Sequence, residues 1–128
     1  MSSIVLDASA LLAVLNREPG ADRLTPELLS GAVCSTVNLA EVQSKLVGRG
    51  LTPDEAWAAT TSPIREAMPF TAEQAKIAGS LITQTRSLGL SFGDRACLAL
   101  GLALQGAVYT ADRSWRGLRL GIRIHIIR

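Results

Sequence analysis

Ile4-Val5-Leu6-Asp7-Ala8-Ser9-Ala10-Leu11-Leu12 opens with three consecutive apolar residues, two of them β-branched, and passes through a single acid into a run of helix formers. An unbroken apolar triplet of this kind reads as a strand buried on both faces. The helix that follows is expected from Ala8 to Glu18, where Pro19-Gly20 stops it. The same strand-then-helix pattern recurs down the chain. Ala32-Val33-Cys34 is a second short strand, and Ser35 or Thr36 is placed to cap a helix over Val37 to Val47, closed by Gly48 and Gly50. Ala107 to Thr110 is a strand that leads into a helical turn from Asp112 to Trp115. Ile122 to Ile127 is a last strand, alternating less cleanly than an exposed edge strand would.

Between these units lie further helical segments. Ala21 to Ser30 reads as an amphipathic helix with Pro26 as a point of breakage. Thr52-Pro53-Asp54-Glu55 is a strong helix start, with a capping hydroxyl, Pro at the first position and acids in the first turn. That helix should end near Ser62-Pro63. Glu66 to Phe70 is weakly strand-like, Thr71 to Ser87 reads as one long helix ended by Gly89, and Ser91 to Gln105 as another. Short apolar strands alternating with helices predict an α/β fold, with a parallel sheet flanked by helices on both faces. A single domain over residues 1–128 is expected, with the mostly helical stretch 53–89 as a small insertion beside the sheet.

Composition narrows the function. The 128 residues are 48% hydrophobic and carry a formal net charge of only +2, so a packed core is expected and disorder is not. The charge is unevenly placed. After Asp94 the chain has Arg95, Arg113, Arg116, Arg119, Arg123 and Arg128 against one acid, Asp112. A basic C-terminal part beside acids suits a polyanion, and also suits an ordinary solvated face. Cys34 and Cys97 lie in apolar runs without a CxxC pair, and His125 is the sole histidine. Zinc ligation is therefore disfavoured, and so are metal-free RNA cleavage by paired histidines and Ser-His-Asp or Cys-His catalysis. No phosphate-binding GxxxxGK[ST] loop and no GxGxxG is present. The longest apolar run, Ala96 to Leu104, is shorter than the ~20 residues a membrane helix needs. With no secretory leader legible, a cytoplasmic protein is expected. Trp57 and Trp115 are both expected in the core.

The acids are the informative residues. In a parallel sheet with βαβ connections, the loops after the strands share one edge, and ligands bind there. Asp7 and Asp112 follow strands, Glu41 lies early in the helix after the second strand, and Asp94 sits in the first turn of a helix whose N-terminus faces the same edge. Two like charges about 4 Å apart cost roughly 4 kcal/mol at an effective dielectric of about 20. A hard divalent cation relieves that repulsion and suits phosphodiester chemistry. Arg95 and Arg113 are the cations expected nearby, either on phosphates or paired with the acids. Each acid also has a purely structural reading. Asp7 can cap the helix after it, Asp94 is a favourable first-turn acid, and Asp112 can cap its helical turn. Glu41, in an apolar stretch, is expected partly buried. The remaining acids, Glu18 among them, read as solvated.

Four stretches together resemble a known family: Val5-Leu6-Asp7-Ala8-Ser9-Ala10-Leu11, Asn38-Leu39-Ala40-Glu41-Val42, Gly93-Asp94-Arg95-Ala96-Cys97-Leu98-Ala99-Leu100 and Tyr109-Thr110-Ala111-Asp112-Arg113-Ser114-Trp115. In order, spacing and total length the chain is similar to PIN-domain nucleases, and among them to VapC-type toxins of bacterial toxin–antitoxin modules. The resemblance implies a Rossmann-like sheet with a small helical insertion and a Mg²⁺- or Mn²⁺-dependent endoribonuclease. It implies that Asp7, Glu41, Asp94 and Asp112 are both the catalytic and the metal-binding residues, with Ser9 and Thr110 as supporting hydroxyls. It further implies a homodimer silenced by a cognate antitoxin, with a structured RNA, a tRNA or an rRNA loop, as substrate. Cleavage by water attacking in line, leaving a 5′-phosphate and a 3′-hydroxyl, follows from that chemistry. Two other readings stay open: a metal-dependent DNA nuclease or repair factor on a related fold, and a non-catalytic module that offers the acidic pocket to a basic partner.

Overall fold

Val5 and Leu6 are wholly withdrawn from solvent and Ile4 nearly so, because the strand they form is the middle one of a five-stranded parallel sheet. The computed structural model describes residues 3–128. Its strands are β1 (Ile4–Leu6), β2 (Ala32–Ser35), β3 (Glu66–Met68), β4 (Ala107–Thr110) and β5 (Ile124–Ile126). Its helices are α1 (Ala8–Asn16), α2 (Pro26–Leu29), α3 (Thr36–Gly48), α4 (Pro53–Thr61), α5 (Ala72–Ser80), α6 (Ile82–Thr85) and α7 (Phe92–Leu104). The sheet order is β3-β2-β1-β4-β5, with Ile4 level with both Ala32 and Ala107.

Side chains alternate between two apolar layers, as the two-residue period of a strand requires. Ile4, Leu6, Ala32 and Cys34 pack with Leu11 of α1 and with Leu39 and Val42 of α3. Val5, Val33 and Val108 point the other way, onto Cys97, Leu98 and Leu100 of α7 and onto Trp115. Burial on both faces explains why β1 and β2 read as unbroken apolar runs. The chain leaves β1 toward β2 on one side and returns through β4 on the other. The crevice beyond the C-terminal ends of β1 and β4 is thus the point where the winding reverses, the usual ligand position in such sheets.

Helix α7 approaches β4 closely at Gly101, where a Cβ would lie 2.5 Å from Val108 Cγ2 and 3.1 Å from Ile122 Cδ1. Gly101→Ala is therefore expected to lower unfolding free energy by about 1–3 kcal/mol through overpacking, despite the better helix propensity of Ala. Urea denaturation at equilibrium measures it, and an unchanged midpoint would show that α7 can shift outward freely.

Several expected elements differ in detail. The helix read over Ala21–Ser30 is a 3₁₀ turn, Ala21–Arg23, followed by α2, because Pro26 sits at the first position of a new helix capped by Thr25 instead of breaking an old one. The long helix over 71–87 is three pieces: α5, α6 and a 3₁₀ turn, Arg86–Leu88. Thr85 Oγ1 donates to the Leu81 carbonyl at 2.8 Å, the kind of back-bond that bends a helix. The last strand is shorter than expected and lies at the sheet edge, with His125 exposed and its ring stacked on Tyr109 at 4.6 Å. Trp115 is buried as expected, but Trp57 is 46% exposed, on the outer side of α4. Among the described residues no helix is long and apolar enough to cross a membrane.

Candidate active site

Asp7 is the residue at which β1 becomes α1. Its backbone is extended, and its carboxylate caps the helix by accepting from Ala10 N–H at 2.8 Å. The same carboxylate accepts from Ser9 Oγ at 2.8 Å and from Thr110 Oγ1 at 2.6 Å. Thr110 ends β4, the neighbouring strand, and its oxygen in turn accepts from Asp112 N–H at 3.0 Å. Ser9 Oγ likewise accepts from Ala111 N–H at 2.9 Å. Each hydroxyl thus spends its one proton on Asp7 and its lone pairs on the turn after β4. The pair of hydroxyls stitches Asp7 to the loop that carries Asp112.

On the other side, Asp94 occupies the third position of α7 in a reciprocal cap. Ser91 N–H donates to Asp94 Oδ2 at 2.8 Å, and Asp94 N–H to Ser91 Oγ at 3.2 Å. Glu41, half-buried on α3, is held by Asn38 Nδ2 at 2.8 Å, and the same amide donates to the Gly93 carbonyl at 3.0 Å. Asn38 is 1% exposed, so it ties α3 to the start of α7 and orients Glu41 in one stroke. Gly93 leaves the necessary gap, since a Cβ there would collide with the Glu41 carboxylate. Asp112 accepts from Ser114 N–H at 2.9 Å and starts the turn Arg113–Trp115.

Three of the acids form the caps expected of them, and with those caps made all four line one crevice. A cleft of about 300 Å³ is lined by Asp7, Glu41, Asp94 and Asp112, together with Ala8, Ser9 and Leu12, and on its far side by Glu18, Lys45, Arg49 and Arg128. A larger cavity, about 640 Å³, lies beside the start of β4 at the opposite sheet edge, and its lining includes no acid. Burial lifts the Asp7 carboxyl from its ordinary 3.8 to about 6, against the three hydrogen bonds that favour the anion; the Asp94 charge adds to the rise. Burial also raises the Asp94 carboxyl, with Asp112 contributing. The acids thus repel one another across the cleft, although Asp7 is partly compensated by its donors. Burial pushes both thiols, Cys34 and Cys97, far above their usual range, which makes them inert core residues.

The cations at the cleft are not the expected ones. Arg95 turns away, donating to the Ala78 carbonyl at 3.0 Å and lying over the Phe92 ring. Arg113 Nε reaches the Arg128 carbonyl at 3.4 Å. In their place stand Lys45, Arg49 and Arg128, the last paired with Glu18 at 2.7 Å, so Glu18 is not simply solvated either. For Lys45 and Arg49 a usable signal existed: both continue the helical stripe of Glu41 at intervals of four. Asn38, three residues before Glu41 on the same helix face, holds that carboxylate without any sequence signal that marks the role. Nothing in a single sequence marks the pairing of Glu18 with Arg128.

The PIN domain family profile matches residues 4–119. The chain belongs to the PIN domain family. No curated protein matches the chain's sequence. Among solved structures, this PIN domain is similar in fold to the DNA-bound VapBC of Salmonella typhimurium, at TM-score 0.77 and 18% identity over 100% of each chain. It is also similar to VapBC2 of Rickettsia felis bound to a promoter DNA fragment, at TM-score 0.74 and 18% identity over 98% of each chain. A third is VapC20 of Mycobacterium tuberculosis, described as a toxin that cleaves the sarcin-ricin loop, at TM-score 0.73 and 23% identity over 94% of this chain and 99% of the other. The five-stranded parallel α/β sheet is the architecture that the sequence predicted.

Among the described residues, no three acidic, histidine or cysteine side chains are gathered tightly enough to form a preassembled metal centre. Asp94 and Asp112 rest on the backbone amides they cap. The donor set nevertheless fits a hard divalent cation: every candidate ligand is a carboxylate oxygen, and the acids repel one another without one. Mg²⁺, which keeps several waters and takes only one or two carboxylates directly, does not require the four to touch a common point.

Proposed function

We propose that this PIN domain is a nuclease of the VapC toxin type, a Mg²⁺- or Mn²⁺-dependent endoribonuclease that hydrolyses phosphodiester bonds of structured RNA, a tRNA or rRNA loop. The observation that carries the proposal is the convergence of Asp7, Glu41, Asp94 and Asp112 on one cleft at the reversal point of the sheet. Family membership and the fold shared with VapBC structures support it, as does the fold shared with an RNA-cleaving toxin. On this reading Asp7, Asp94, Glu41 and Asp112 would hold the cation, whose positive charge supplies the Lewis-acid stabilisation that phosphodiester hydrolysis needs.

The chain's own contribution is positioning. Asp7 is locked by Ser9, Thr110 and Ala10, so its carboxylate is pre-oriented and pays no entropy on binding. Asn38 fixes Glu41. On this reading Asp112, less buried than Asp7, would take the proton of the attacking water. Leu12 and the buried rim of α1 restrict solvent on one side. The fold shared with VapBC assemblies supports a cognate antitoxin as partner, and the reading takes a homodimer as the active form. A cytoplasmic site of action is consistent with an intracellular RNA substrate.

Incubating wild type and Asp7→Ala with total RNA and with DNA, in Mg²⁺ and in EDTA, tests the reading. Cleavage confined to RNA, requiring the cation and Asp7 and leaving 5′-phosphate ends, is the expected result. Cleavage that persists in EDTA rejects the metal-dependent mechanism. Cleavage of DNA alone favours the repair-nuclease alternative, and binding without cleavage favours the non-catalytic one.

A further inference from the structure

The cleft has a second wall that the carboxylates do not explain. Helix α3 brings Glu41 to it, and the next residues on the same stripe, at i+4 and i+8, are Lys45 and Arg49. Successive members of such a stripe are about 6 Å apart along the axis. Arg49 is the C-cap residue, at φ −91° and ψ 1°, where the regular helix ends, so it closes the stripe. Both side chains are exposed, and among the described residues neither takes part in an ion pair or a side-chain hydrogen bond. Arg128, on the same side, is instead held by Glu18. Two cations without a hydrogen-bonded partner thus stand in line with an acidic centre, in a chain whose net charge is only +2, with Arg49 near enough to Glu18 to help lower its carboxyl.

Unpaired cations beside carboxylates have a local reason to pair with them. Glu41 and Lys45 stand at the i, i+4 spacing that suits a helix ion pair, but the Glu41 carboxylate is held by Asn38 instead, and both cations line the cleft. A ligand that fits must present negative charges in a row at a regular step, continuous with a phosphate at the acidic end. The backbone of a single-stranded polynucleotide has that form. Resting on the ribonuclease reading, we propose that Lys45 and Arg49 form a phosphate track that holds consecutive backbone phosphates of single-stranded RNA on one side of the scissile bond. Phosphate contacts set register without reading bases, so the track positions the strand and contributes to KM, while base selection lies elsewhere.

Counterion release makes the track measurable. Each phosphate neutralised on a single strand contributes about 0.7 to the slope of log affinity against log salt. Losing two contacts should flatten the slope by about 1.4 and weaken binding roughly 25-fold at about 0.1 M salt. The experiment compares wild type, Lys45→Ala/Arg49→Ala, Lys45→Arg/Arg49→Lys and the charge-matched control Lys76→Ala/Arg86→Ala. Binding of a fluorescein-labelled single-stranded RNA of mixed sequence is followed by anisotropy in EDTA across a salt series, and the same slope is read from kcat/KM with Mg²⁺. The alanine pair should show the flatter slope and a raised KM with kcat little changed. The charge-conserving pair and the control should stay near wild type. An unchanged slope in the alanine pair, or an equal loss in the control, overturns the track while leaving the ribonuclease reading intact. The same holds if the alanine pair binds RNA normally but loses affinity for polyglutamate, which would reassign the stripe to an acidic protein. A wild type that neither binds this RNA nor cuts total RNA in the Asp7 comparison overturns both.

Discussion

Asp7→Asn is expected to lower RNA cleavage about a thousandfold or more while making the metal-free protein harder to unfold at pH 7.5. The activity loss follows from removing the most enclosed carboxylate of the cleft, whose charge acts where it is least screened by water. The stability gain follows from the same enclosure. Asp7 is 2% exposed and its carboxyl is raised to about 6. A raised carboxyl favours the folded state in its protonated form. That contribution is complete below the ordinary 3.8 and is lost as pH climbs through about 6. At pH 7.5 the buried anion therefore costs about 3 kcal/mol relative to a neutral group, at roughly 1.4 kcal/mol for each pKa unit. Asparagine keeps an oxygen for Ala10 N–H and Ser9 Oγ and turns an amide toward Thr110 Oγ1, so a gain of about 1–3 kcal/mol is expected. Urea unfolding in EDTA at pH 5 and pH 7.5 checks the sign: wild type should lose stability between the two, and the variant should lose less. A variant less stable than wild type at pH 7.5 would show that the hydrogen bonds to the anion outweigh its desolvation. Added Mg²⁺ should stabilise wild type and leave the variant unmoved, because a ligand stabilises only the state that binds it.

The two halves of that prediction show why this cleft was legible in sequence while its surroundings were not. Asp7, Asp94 and Asp112 each sit where a strand ends or a helix begins, and strand ends and helix starts are what hydrophobic periodicity and capping residues reveal. Once β1, β2 and β4 are recognised as parallel, topology alone brings the acids to one edge. The same logic reaches Glu41, one turn into α3. It does not reach Arg95 and Arg113, whose neighbours in sequence are acids but whose side chains follow the packing of α5 and of the C-terminal segment. It also fails for Trp57. A tryptophan on a capped amphipathic helix reads as core, yet on α4 the buried positions are Ala56 and Thr60, and Trp57 falls on the outer face. The break in the 71–87 helix was hidden for a related reason. Thr85 reaching back to Leu81 is a side-chain choice made by tertiary packing, and helix propensity over that window is otherwise continuous.

Gly93→Ala should separate positioning from folding, because the change acts on the site through one contact. The added methyl group would lie 2.5 Å from Glu41 Oε1 and 2.6 Å from its Cδ, far inside van der Waals contact. These atoms are the free end of a flexible side chain, so the backbone of α7 has no need to move. Glu41 must swing aside instead, giving up its bond from Asn38 Nδ2. Ala is the better helix residue, which offsets the lost hydrogen bond of about 1 kcal/mol, and unfolding free energy should stay within about 1 kcal/mol of wild type. Cleavage should nevertheless fall about a hundredfold, the scale of a misplaced group of roughly 1 Å in an active site. A double-mutant cycle with Glu41→Gln makes the argument sharp. If Gly93 matters only by leaving room for the Glu41 carboxylate, the double variant should cleave no more slowly than Glu41→Gln alone, since residues acting as one unit are not additive. Losses that simply add would mean that Gly93 serves the reaction by another route, such as close approach of the substrate backbone to the start of α7.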